Sequence, residues 1–151
     1  MTKEEFNKKY EGFVTVSLSI STGWLPLVDK LCSMIKHKLD TIVKYNDKWL
    51  EIEIINSLKH ATNEALVEDF KIIQIKEKYG GLRFYVDGAD NEIQAWIHFA
   101  ESTSYDICQE CGTNQNLGNT KGWIRTVCKP CSIVIGKGDV WVSKEDRKKG
   151  L

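Results

Sequence analysis

Alternation is the strongest local pattern in this chain. In residues 70–87, FKIIQIKEKYGGLRFYVD, apolar and charged side chains alternate on both sides of Gly80-Gly81. This predicts strands over about 70–78 and 82–87 joined by a two-residue turn. Both glycines take positive φ without strain, as a primed hairpin turn requires. Such a turn pairs Tyr79 with Leu82, Lys78 with Arg83, Glu77 with Phe84, Lys76 with Tyr85 and Ile75 with Val86. One face then collects Ile73, Ile75, Tyr79, Leu82, Phe84 and Val86, and the other Gln74, Lys76, Lys78, Arg83 and Tyr85. Glu77 falls on the apolar face, where a carboxylate needs a partner.

A period of 3.6 replaces alternation in STGWLPLVDKLCSMIKHKLDTIVKYN. Leu27, Leu31, Met34/Ile35, Leu39 and Ile42 share one helical face, and Lys30, Lys36, Lys38 and Lys44 lie mostly opposite. Pro26 suits the first turn, where its missing N–H leaves no bond unmade. Trp24 is read as a packing residue at the helix entry and Cys32 as a small buried hydrophobe. Thr2 to Glu5 fits a capping box and predicts a helix over about 3–11 that ends at Gly12. FVTVSLSI, residues 13–20, suits a short strand or an extended lead-in. Residues 47–70 carry both periods, with helix favoured. Asp90 or Asp87 caps a helix over about 90–103 with Ile93, Trp96/Ile97 and Ala100 as its stripe. After Cys131, SIVIGKGDVWVS reads as strand, turn and strand, and KEDRKKGL as a frayed charged tail.

These elements predict an α+β fold: helices packed on a small antiparallel sheet, followed by a cysteine-bearing module. Residues 1–106 form the main domain, and 107–151 a module and tail packed onto it. Hydrophobic residues make up 42% of the 151, which is enough for a real core. No apolar run approaches the roughly 20 residues a membrane helix needs, and the N-terminus lacks the apolar core of a signal peptide. Net charge is zero but uneven. Residues 1–106 hold 13 basic and 17 acidic residues, a balance of −4, and residues 107–151 hold 8 and 4, a balance of +4. A protein gripping long DNA through many phosphates has a different profile.

Cys108, Cys111, Cys128 and Cys131 form C-x2-C-x16-C-x2-C, the spacing of a structural zinc site. Each close pair can bend into a knuckle, and Gly112 after the second thiolate suits positive φ. A redox Cys pair would need a strand-to-helix setting that the pattern lacks. Catalytic zinc would need an open position, and His60 and His98 lack the His-x-Glu arrangement of the zinc deaminases. Thiolate zinc together with the unpaired Cys32 points to a reducing cytoplasm.

IKEKYGGLRFY, GWLP and CxxCG…GWIRTxCxxC together resemble a family of small bacteriophage and prophage proteins over roughly residues 20–131. That resemblance implies a viral accessory setting and specifies no activity. No Ser/His/Asp grouping, phosphate-cradling glycine loop or paired-carboxylate spacing stands out, which favours a binding protein over an enzyme. The hairpin's polar face supplies cations and a stacking ring at Lys76, Lys78, Arg83 and Tyr85. Trp123 and Arg125, just before the second cysteine pair, can add a ring and a fork. The expected ligand is therefore a small anion, of the nucleotide class, with sequestration of a host defence signal as one use. The bland readings are that the hairpin cations are ordinary solvated charge and that Trp123 packs the module onto the main domain. The alternative function is a zinc-ribbon adaptor that touches nucleic acid or a host protein through the +4 region.

Overall fold

The computed structural model describes residues 1–49 and 64–150. The chain is α+β, with two small three-stranded sheets. Helix α1, Lys3–Lys9, opens on the expected capping box: Thr2 Oγ1 accepts from Glu5 N at 3.1 Å, and Glu5 Oε2 accepts from Thr2 N at 2.7 Å. Only Leu18–Ser19 of the expected 13–20 strand pairs as β1, and it runs parallel to the hairpin, so the first sheet is mixed. A 3-10 turn, Thr22–Trp24, leads into the long helix α2, Leu25–Trp49, with Pro26 in its first turn. Leu31, Cys32, Ile35 and Leu39 are buried along its inner face. The Cys32 thiol is pushed up by burial, with Asp29 adding to the effect, so it is an inert core group. Residues 64–69 are helical (α3). The ambiguous strand-or-helix pattern over 50–63, with His60, lies outside the described residues.

The hairpin is β2, Lys71–Lys78, and β3, Gly81–Asp87, in the order β1-β2-β3. Its turn differs from the expected one. Tyr79 and Gly80 are the central residues, at φ 53° and 77°, and Gly81 pairs with Lys78. The register is therefore Glu77 with Leu82, Lys76 with Arg83 and Ile75 with Phe84. Gly81 is needed elsewhere: a Cβ there would lie 2.3 Å from the Tyr105 hydroxyl. Glu77 is resolved by the same turn, since its Oε1 accepts the Gly80 N–H at 2.7 Å. A bulge between Ile72 and Gln74 turns Ile73 outward and lets Ile72 and Ile75 both face the core. Ile73 and Tyr79, expected on the core face, are thus exposed.

Helix α4, Asn91–Ser104, covers the free edge of β3. Leu82 N donates to Ser104 Oγ at 2.9 Å and Phe84 N to Glu101 Oε1 at 2.9 Å, so these two edge amides are paired. Ile93, Ile97 and Ala100 are buried as expected. Past α4 lies the second sheet, with strands β4, Leu117–Thr120, β5, Thr126–Cys128, and β6, Trp141–Ser143, in the order β5-β4-β6. Two readings of this region are corrected. Lys129–Val134 is a helix, α5, where a strand was expected, because Pro130 and the Cys128 cap start a helical turn. Lys144–Lys148 in the charged tail is also helical, α6, capped by Ser143 Oγ accepting from Asp146 N at 3.0 Å.

Lys38 ties α2 to the start of α4, with Nζ 2.6 Å from Asp90 Oδ2 and 3.0 Å from Glu92 Oε1. Asp90 also caps α4, its Oδ1 accepting from Ile93 N at 2.9 Å. Burial pushes the Asp90 carboxyl up, but the Lys38 ammonium and the Ile93 N–H outweigh it and hold it below the ordinary aspartate range. The stability this adds is present above that range and is lost as pH falls through the lowered value. Asp90→Ala should cost about 1 kcal/mol at neutral pH. Urea denaturation should show the difference from the parent narrowing under acid.

Candidate metal centre and the seam beside it

Cys108 follows α4, and its chain bends at once: Gly112 N donates to Cys108 O at 2.9 Å and Cys108 N to Thr113 O at 2.7 Å. Gly112 closes the knuckle at φ 82°. The β4–β5 hairpin returns the chain, so Cys128 ends β5 and Cys131 lies in the first turn of α5. The second pair is thus built on a strand end and a helix start, which corrects the expectation that no strand-to-helix setting surrounds the cysteines. The four Sγ atoms all lie within 4.8 Å of one another, and Cys111 Sγ is 3.8 Å from Cys128 Sγ. This cluster can hold a metal ion. Leu117, Val127 and Cys128 form a small core around it with Ile135 and Trp141. Burial raises the Cys128 and Cys131 thiols. Burial also opposes ionisation of Cys108, but the N–H groups of Cys111, Cys128 and Glu110 bring it below the ordinary thiol range.

The first cysteine pair is fastened to the main domain by backbone. Trp24, fully buried, donates Nε1–H to Ile107 O at 3.0 Å, and Gly23 N donates to Gln109 O at 2.9 Å. A Cβ on Gly23 would sit 2.2 Å from Cys108 O and 2.6 Å from the Gln109 carbonyl carbon, so only glycine permits this approach. The second contact is at the hairpin turn. Buried Thr126 donates its hydroxyl to Gly80 O at 2.7 Å and its N–H to Gln109 Oε1 at 3.1 Å.

Among the described residues, grooves lie along this seam. One of about 300 Å³ is lined by Lys78, Tyr79, Trp123 and Ile124, with Glu77 and Gly122. A second, of about 530 Å³, shares Tyr79 and Ile124 and runs past Tyr105 to Lys144, Arg147 and Lys148. A third, of about 310 Å³, passes Lys121 and Arg147. Tyr79 is 69% exposed and Trp123 77%, so Trp123 does not pack the module onto the domain.

Of the six expected ligand residues, Lys78 and Trp123 meet in the first groove. Lys76 lies over the Tyr85 ring, 5.4 Å from its centroid. Arg83 contacts the Tyr105 hydroxyl from both terminal nitrogens at 3.3 Å. Arg125 is ion-paired with Glu110, which also accepts from Ser21 Oγ at 2.9 Å. The sequence reading missed Tyr79, Thr126, Asn119 and Arg147. The only signal was a bulky residue beside Gly80-Gly81. Comparison with protein-family models, with curated proteins and with solved structures returns no match.

Gly23→Ala should cost about 1–3 kcal/mol through this backbone clash. Denaturation midpoints measured against the parent check it, and an unchanged midpoint would show that the seam moves apart freely.

Proposed function

We propose that this chain is a non-enzymatic binding protein that takes an anionic ligand of the nucleotide class in the groove between the hairpin turn and the cysteine module. A structural zinc ion holds one wall of that groove. The observation that carries the reading is the pair of exposed rings, Tyr79 and Trp123, lining one groove together with Lys78. Flat rings stack on a base, and an ammonium meets a phosphate. This moves the expected site from the wet face of the hairpin to its tip.

Zinc suits the donor set. Tetrahedral zinc at about 2.3 Å from each thiolate sets the sulfurs roughly 3.8 Å apart. Cys111 and Cys128 stand at that separation, and the other sulfurs are within reach of it. Four thiolates close the coordination shell and leave no position for an activated water, so the role is structural. Such thiolates need a reducing compartment, and on that ground we assign the protein to the cytoplasm. Among the described residues no helix is long and apolar enough to cross a membrane. In the viral accessory setting that the resemblance implies, the use we propose for the site is sequestration of a host nucleotide signal.

Metal analysis of purified protein should return one zinc per chain, with loss of metal and a lowered melting temperature in Cys111→Ser. Retention of the melting temperature after verified metal removal would overturn the structural role. A thermal-shift series with mono-, di- and cyclic nucleotides should raise the melting temperature. Trp123→Ala should weaken binding by about 1–3 kcal/mol, the size of one base stack. No shift with any nucleotide would end this reading.

A further inference from the structure

We infer that the ligand is a single-stranded oligonucleotide, with bases stacked at Tyr79 and Trp123 and its phosphates following the basic side of α6. This rests on the nucleotide reading of the groove and extends it from one unit to a chain of them.

The grooves join. The first and second share Tyr79 and Ile124, and the second and third share Ile124 and Arg147. A free nucleotide would occupy the ring-lined end and leave the rest empty. The rest is cationic. Lys144, Arg147 and Lys148 line the second groove against one acid, Asp106, which is already paired with Lys144 at 2.9 Å. The acids of the same helix, Glu145 and Asp146, are not part of the lining. Lys121 continues the positive charge beyond Arg147.

Arg147 is held in place. Its Nη1 donates to Asn119 Oδ1 at 2.8 Å. Asn119 in turn donates through Nδ2 to Thr126 Oγ1 at 3.2 Å and to Arg125 O at 3.3 Å, which fixes its amide. The same Thr126 hydroxyl holds the turn that carries Tyr79. One hydrogen-bonded line, Arg147–Asn119–Thr126–Gly80, therefore sets the cation and the stacking ring relative to each other. Arg147 keeps most of its N–H donors for a phosphate. Unpaired bases are required, because a duplex hides the faces that Tyr79 and Trp123 would stack on. A zero net charge fits a strand gripped at a few phosphates and steered by the module's own positive balance.

The test is fluorescence anisotropy of a labelled oligothymidylate of about ten nucleotides, with thymidine monophosphate and a duplex as competitors. The oligonucleotide should bind at least about tenfold tighter than the monophosphate. With Lys78, Arg147 and Lys148 each neutralising one phosphate, log K should fall with log salt at a slope of about −2, and R147A/K148A should reduce that slope to about −0.7. Both side chains are exposed, so the variant should melt like the parent. The ratio of oligonucleotide to monophosphate affinity should then collapse towards one. Equal affinity for the two ligands in the parent, or an unaltered slope in R147A/K148A, overturns the strand proposal while leaving the nucleotide groove standing. Equal competition by duplex overturns it in favour of backbone contact alone. Absence of binding by both the oligonucleotide and the monophosphate overturns the groove reading with it.

Discussion

Four sulfurs held within 4.8 Å of one another set the conditions for the C-terminal part of this chain. They cannot all carry charge at that separation without a cation, and burial already raises two of the thiols. The apolar cluster around them is small, so little area burial is available to hold three short strands and a six-residue helix together. A metal ion at this cluster would supply the cross-link that the core lacks, as small metal-bound domains commonly require. The cluster also determines where the neighbouring backbone lies. Cys108 and Gln109 are the groups against which Gly23 closes, and Cys128 ends the strand that carries Thr126.

From that anchor the contact between module and hairpin follows. Thr126 is buried and uses its hydroxyl on Gly80 O and its N–H on Gln109. A buried hydroxyl left without a partner costs about 1–3 kcal/mol, so the contact specifies one alignment of turn and module. The grooves lie along this alignment. Each wall belongs to a different stretch of sequence, and the hydrogen bonds of Thr126 and Asn119 bring them together.

Patterns that act over a few residues were legible in the sequence. The Thr2 capping box, the buried stripe of α2, the Asp90 cap and the spacing of the four cysteines are all local, and each is found in the fold. What was not legible depended on distant neighbours. The Gly-Gly pair suggested its own turn, but the chain turns at Tyr79-Gly80, and Gly81 begins β3 against the Tyr105 ring, where a Cβ would clash. The bulge at Ile73 serves the core rather than the hairpin's own alternation. Arg125 reads as a free fork in sequence, yet Glu110 claims it across the knuckle. A cation's availability is settled by which carboxylate the fold brings near, and spacing along the chain carries little information about that.

Tyr79 shows how such a residue can be recognised once the fold is known. It holds φ 53° in a turn where Asn or Gly would sit without strain, at a cost of roughly 1–2 kcal/mol. Its ring is also 69% exposed, so burial returns little of that cost. The Lys78 ammonium, 5.5 Å from the ring centroid, offsets about 0.5–1 kcal/mol at an exposed site. The balance remains unfavourable for folding alone. A positive-φ backbone and an unburied ring thus meet at one residue on the rim shared by two grooves, and contacts within the fold do not offset their cost.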